Sequence, residues 1–254
     1  MASEKPTILF SHGAWHPPHL YQPLKDALAK KGYTLIVPAL ATMGTKAIGV
    51  GWDADVDVLL NEAVPLFEQG KEVVLVGHSY GGIPATIATR DNGIAERAAA
   101  GLKGGFKHVV FLAAFALPQA GLSNLTAVPG EQWMPWHTVL ESDDGEKQQL
   151  FVNDLSKDLL YNDMPQEQAE AFYKDLVPQS YAAVIQPVPF AVPDITIPKT
   201  YIVCERDAAF PVPLQDYLAT ALGFNKKTID AGHSCFASAP DELADLLIEI
   251  AEEN

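Results

Sequence analysis

Val73-Val74-Leu75-Val76-Gly77-His78-Ser79-Tyr80-Gly81-Gly82-Ile83 decides how this chain is read. An apolar run of strand length passes straight into a Gly-x-Ser-x-Gly turn, and a helical pattern over Gly82 to Arg90 follows. A serine hydroxyl is a weak nucleophile until it is exposed, fixed and paired with a base. A sharp strand-to-helix turn meets the first two conditions. It also needs small neighbours, which Gly77, Gly81 and Gly82 provide. The helix after Ser79 aims its N-terminal N–H groups at charge developing on a bound carbonyl oxygen. Ser79 therefore reads as a nucleophile.

The same alternation surrounds this segment. Thr7 to Phe10, Tyr33 to Val37, Val109 to Leu112, Thr200 to Cys204 and Lys227 to Ile229 read as strands. Leu20 to Lys31, Asp53 to Gln69, Val212 to Leu222 and Pro240 to Glu252 read as helices. The strands are mostly continuous apolar runs, as parallel strands covered on both faces require. The alternation stops after Leu117. From Pro118 to Pro198 the chain is rich in Pro, Asp, Gln and aromatics, with short helical stretches such as Gln166 to Leu176. The expectation is one α/β domain over residues 1–254, with the α/β-hydrolase fold, a mostly parallel sheet flanked by helices and a cap inserted at about 118–198. Trp133, Met134, Trp136, Phe151, Phe172, Tyr173 and Tyr181 give the cap enough apolar surface to close over the sheet.

A nucleophile of this kind calls for an acid and then a histidine, each on a loop after a later strand. His233, in Asp230-Ala231-Gly232-His233-Ser234, lies between the last strand and the last helix and reads as the general base. Glu205 and Asp207 both follow the strand Thr200 to Cys204. Asp207 is the better placed, because it stands farther from the strand end and is freer to turn into the crevice; Glu205 is expected to pair locally, for instance with Arg206. The acid would fix the imidazole tautomer and stabilise the imidazolium. Oxyanion donors are expected from the N–H groups of Tyr80 and of Ala14, in the loop after the first strand. His12, Gly13 and Trp15 of that loop, with Trp133 and Trp136 of the cap, are the candidate substrate pocket.

Composition narrows the field. A formal net charge of -15 disfavours phosphate backbones and anionic membrane surfaces. No apolar segment of signal-peptide length opens the chain, so a soluble, cytoplasmic protein is expected. Cys204 and Cys235 read as buried free thiols. His12, His16 and His19 lack a metal-ligand spacing, and neither GxGxxG nor GxxxxGK[ST] occurs, so no metal and no cofactor are expected.

Ser11-His12-Gly13-Ala14-Trp15-His16, Leu75 to Gly82, Val110 to Phe115, Tyr201 to Asp207 and Leu247 to Ala251 resemble the plant methylesterase and hydroxynitrile lyase family of α/β hydrolases, which includes the methyl salicylate esterases. The likeness covers most of the chain and is weakest in the cap. It implies an esterase for small carboxylic esters, with Ser79, Asp207 and His233 on the family triad and Ala14 and Tyr80 on its oxyanion positions. The lyase branch carries threonine where this chain has Gly13, and lysine after the catalytic histidine where it has Ser234. The expected activity is hydrolysis of a small neutral ester, methyl, aryl or lactone, through an acyl-enzyme. A lyase or carbon–carbon hydrolase in the same crevice, or a ligand receptor on this scaffold, are the alternatives. The partners expected are a small-molecule ester, with no nucleic acid and no membrane, and with room for a homodimer.

Overall fold

The computed structural model describes residues 5–127 and 132–253. Its first half runs β1 (Thr7–Ser11), α1 (Gln22–Lys30), β2 (Leu35–Ile36), α2 (Trp52–Glu68), β3 (Glu72–His78), α3 (Gly82–Ala88), α4 (Ile94–Ala99) and β4 (Gly105–Leu112). The middle holds β5 (His137–Glu141), β6 (Lys147–Val152), α5 (Lys157–Leu160), α6 (Gln166–Lys174), β7 (Gln179–Ser180) and α7 (Tyr181–Ile185). The chain ends with β8 (Lys199–Cys204), α8 (Val212–Ala221), β9 (Asn225–Ile229), α9 (Cys235–Ser238) and α10 (Pro240–Glu252).

Burial explains the main sheet. Every residue of β1 is buried, as are all but the first of β3 and of β8. Such strands gain most when both faces are covered, and the parallel order β2-β1-β3-β4-β8-β9 places them at the centre with helices around them. Register then aligns their carboxyl ends. Ser11 stands beside Gly77, Gly77 beside Phe111, and Leu112 beside both His78 and Ile202. Loops leaving these strands therefore open on one edge of the sheet, where α/β proteins bind ligands.

Between β4 and β8 the chain builds a cap around an antiparallel sheet, β5-β6-β7. The sequence suggests only short helices there, and the sheet is a correction. Its two longer strands mix polar and apolar residues without an unbroken apolar run, and pairing with neighbours defines them. The cap is tied to the body at several points. Trp15 Nε1 donates to the Leu150 carbonyl at 3.0 Å, Val177 N–H donates to the Trp15 carbonyl at 2.9 Å, and Met43 bridges to Gln179. Among the described residues no helix is long and apolar enough to cross a membrane.

Other differences have local causes. The strand expected over Tyr33 to Val37 shrinks to Leu35–Ile36, because Tyr33 N–H turns back to the Leu28 carbonyl and Pro38 cannot donate beyond Val37. The helix expected from Leu20 begins as a 3-10 turn at Pro18–Tyr21. Helix α4 has no counterpart in the sequence reading; Gly93 N–H donates to the Glu96 carboxylate at 3.0 Å and starts it.

The turn after β3 leaves no room for a side chain at Gly81. A Cβ there would meet the Ser11 carbonyl oxygen at 2.0 Å and the His12 carbonyl oxygen at 2.7 Å, both backbone atoms of the neighbouring strand end. Gly81→Ala must therefore push β1 and β3 apart. The expected outcome is a loss of about 2 kcal/mol or more of stability, read as a lower midpoint in urea unfolding; a midpoint equal to that of the parent would show that the turn yields freely.

Candidate active site

Ser79 follows β3 with a φ of 52°, in the left-handed region that non-glycine residues rarely occupy. The conformation persists because its surroundings fix it: the Phe115 N–H donates to the Ser79 carbonyl at 3.0 Å, while Gly81 packs against the end of β1. The result is a half-buried serine at the floor of a cavity of about 620 Å³.

His233 reaches the same cavity from the loop between β9 and α9. Its Nδ1 lies 2.7 Å from Asp207 Oδ2. A carboxylate accepts, so Nδ1 carries the proton and the neutral ring keeps its lone pair on Nε2. Asp207 is itself held on all sides. Oδ1 accepts from the Ala209 and Phe210 N–H groups, each at 2.8 Å, and Oδ2 also accepts from Gln215 Nε2 at 2.9 Å. Glu205 is exposed, and Arg206 pairs with Asp230 at 2.9 Å rather than with Glu205. Of the two carboxylates, Asp207 is the one beside His233.

Ala14 and Tyr80 line the cavity next to Ser79, as do Trp15, Trp133 and Trp136. His12 and Gly13 are not among the lining residues. His12 is turned into the body, with Nδ1 donating to the Gly13 carbonyl at 3.0 Å and Nε2 accepting from the Leu40 N–H at 3.1 Å. Gly13 sits behind the wall, where a Cβ would meet His78 Nδ1 at 2.8 Å and Ser79 Cβ at 3.3 Å.

His78, inside the serine turn, joins three loops. Its Nε2 donates to the His233 carbonyl at 3.0 Å, which leaves Nδ1 to accept from the Tyr21 hydroxyl at 3.0 Å; that hydroxyl accepts from the Gly13 N–H at 2.9 Å. His16 makes a parallel arrangement, donating from Nδ1 to the Ala14 carbonyl at 2.7 Å and accepting from the Tyr161 hydroxyl at 2.9 Å. Burial holds His78 well below the usual imidazole range and takes His12 to about 4 and His16 to about 3. These rings are neutral spacers with both nitrogens engaged. Cys204 and Cys235 are free, buried thiols whose sulfurs lie 3.7 Å apart.

A model of the alpha/beta hydrolase family matches residues 8–246. The chain belongs to the alpha/beta hydrolase family. It is similar to a probable hydrolase, R7, of Phoma sp., 31% identical with 97% of this chain and 98% of that protein covered. It is also similar to Methylesterase 7 of Arabidopsis thaliana, 28% identical with 95% of this chain and 93% of that protein covered. In fold it resembles polyneuridine aldehyde esterase, with a TM-score of 0.77, 19% identity, and 98% of this chain and 100% of that chain covered. The methylesterase-like resemblance legible in the sequence thus extends over 95% of the chain, and this alpha/beta hydrolase has relatives of esterase type.

Several residues of the site carry no sequence signal that a motif would catch. Gln215 is fully buried on α8 and bonds Asp207, the Phe210 carbonyl and the Cys204 N–H; a polar residue on the same face as buried Ala219 was the available clue. His137, at the start of β5, accepts at Nδ1 from the Met134 N–H at 3.1 Å, and burial takes it to about 4. It faces the cavity as an uncharged ring with its proton on Nε2.

Asp55 is the other missed group. It is buried on α2, accepting from the Tyr80 hydroxyl at 2.8 Å, the Thr42 hydroxyl at 2.7 Å and the Thr42 N–H at 2.9 Å. Burial outweighs these donors and raises its pKa from 3.8 to about 6. A folded-state value above the unfolded one stabilises the protein fully below about pH 4, and that contribution is lost as pH rises through about 6. Ionised Asp55 thus costs roughly 3 kcal/mol at neutral pH. Asp55→Asn should gain on the parent by about that amount between pH 4 and pH 7 in urea unfolding. Parallel profiles would contradict the raised value.

Proposed function

We propose that the protein is a carboxylic ester hydrolase that works through an acyl-enzyme on neutral, largely apolar esters. The observation that carries this reading is the opening of Ser79 and His233 onto one cavity, with His233 tied through Nδ1 to a carboxylate held by four donors.

Ser79 Oγ attacks the ester carbonyl carbon while His233 Nε2 takes the hydroxyl proton. The oxyanion of the tetrahedral intermediate accepts from the N–H groups of Ala14 and Tyr80. Collapse breaks the carbon–oxygen bond to the alcohol, which leaves with the proton from His233. Water then attacks the acyl-serine with His233 again as base, and the acid departs. Asp207 stays ionised throughout, fixing the ring and stabilising the imidazolium. The sequence of steps needs no cofactor.

The cavity wall favours a neutral substrate, because among the described residues no Asp, Glu, Lys or Arg lines it and an unpaired charge would be costly there. Its volume of about 620 Å³ suits a ligand larger than the smallest methyl esters. Gly13 supports hydrolysis over the lyase alternative. The lyase branch carries threonine at that position, and here even a Cβ would press on His78 and Ser79.

A panel of p-nitrophenyl, methyl and lactone esters tests the reading. Ser79→Ala should abolish turnover of every ester that the parent cleaves, and equal rates would remove the nucleophile. Asp207→Asn should lower kcat by about 10³–10⁴, whereas Glu205→Gln should leave it within about twofold. The reverse order would mean that the wrong acid is named.

A further inference from the structure

The cavity is apolar almost throughout, yet two primary amides stand in its wall with side-chain oxygens that have no partner among the described residues. Gln179 is fully buried, and among the described residues neither its Nε2 nor its Oε1 makes a hydrogen bond; Asn124 is 6% exposed, and its Oδ1 makes none. Both residues line the cavity. Buried amides are almost always paired, since removing one from water without compensation is costly.

The fold aims Gln179 at the cavity. On the cap sheet Leu150 pairs with Val139 on one side and with Gln179 on the other. Cross-strand partners share a face, so Gln179 projects on the side of Leu150, which itself lines the cavity. The Tyr80 hydroxyl beside the Gln179 amide gives its proton to Asp55 and keeps lone pairs that can accept from Gln179 Nε2, so Oε1 is the atom left without a donor. Asn124 lines the same cavity, and the next residue is fixed to the helix that begins two residues after Gln179, its N–H donating to the Val184 carbonyl at 3.1 Å.

We infer that Gln179 and Asn124 form a polar subsite that selects esters carrying a hydrogen-bond donor, a hydroxyl or an amide N–H, away from the ester group. Two acceptor oxygens, Gln179 Oε1 and Asn124 Oδ1, call for a ligand that brings its own proton, and Gln179 Nε2 can return a hydrogen bond to the ligand oxygen. An anionic group would face those two oxygens with no cation beside it, and an ammonium would be buried with no carboxylate in the described wall, so the donor is neutral. This inference rests on the ester-hydrolase reading for its substrate class, but its test does not depend on turnover.

Ser79→Ala protein is titrated calorimetrically with matched ethyl esters of ω-hydroxy and ω-methoxy alkanoic acids over a range of chain lengths. In the second series a methyl group replaces the proton that the hydroxyl would donate. At the length that spans from position 79 to the subsite, the hydroxy ester should bind about five- to tenfold more tightly than its methoxy partner. The preference should fall below twofold in Ser79→Ala/Gln179→Met and shrink in Ser79→Ala/Asn124→Leu. Equal affinities of the two series at every length would overturn the inference, as would a preference that survives both second substitutions. Turnover of the same esters by the parent is read separately: a binding preference with no Ser79-dependent cleavage leaves the subsite standing and removes the hydrolase reading.

Discussion

The imidazole of His78 holds the site together. It donates at one nitrogen to the His233 carbonyl and accepts at the other from Tyr21, whose oxygen takes the Gly13 N–H. Through it the serine turn, the loop after β1 and the loop after β9 keep a fixed spacing, although they come from distant parts of the chain. The arrangement works only for the neutral ring, since a protonated His78 would have no acceptor for Tyr21. Burial enforces that state, and the neighbouring rings of His16 and His233 push in the same direction. A polar network in a low-dielectric interior rigidifies when every member is satisfied, and this one is.

The main sheet and the turns that carry Ser79 and His233 were legible in the sequence because each had a local signature, whereas the His78 network had none. The unbroken apolar strands and the Gly-flanked serine each state a backbone requirement that few residue patterns meet, and His233 was read from its place between the last strand and the last helix. Asp207 was harder, since two carboxylates followed the same strand. What separates them is a tight turn in which the Ala209 and Phe210 N–H groups grip Asp207 Oδ1 and fold its side chain inward, while Glu205 is left facing solvent.

The cap shows where sequence reasoning stops. Its aromatics were visible, but their division of labour was not. Trp133 and Trp136 line the cavity, whereas Phe172 packs edge-on to Tyr161, whose hydroxyl serves His16. Gln179 sits in a strand of two residues and has no periodicity to reveal its direction. Trp15 has a φ of 64°, and that conformation turns its indole toward the cap, where it bonds Leu150 and packs against Trp136. Such facts depend on pairing between segments more than a hundred residues apart, as Trp15 and Leu150 are.

Charge gives the proposed chemistry a direction. Ester hydrolysis converts a neutral ligand into an alcohol and a carboxylate, and the new charge appears in a cavity whose described walls hold no cation. The protein around it carries a net charge of -15. A neutral ester enters this field without penalty, while its acid product is poorly solvated inside and repelled from outside the wall. The mouth supports the same traffic: Met134, Leu214 and Tyr217 line the cavity and are also among the exposed large apolar side chains, so they offer an apolar approach that a carboxylate does not share. On the proposed reading, substrate affinity would come from apolar surface and from neutral hydrogen bonds, and product release would follow from the one bond that ester hydrolysis breaks.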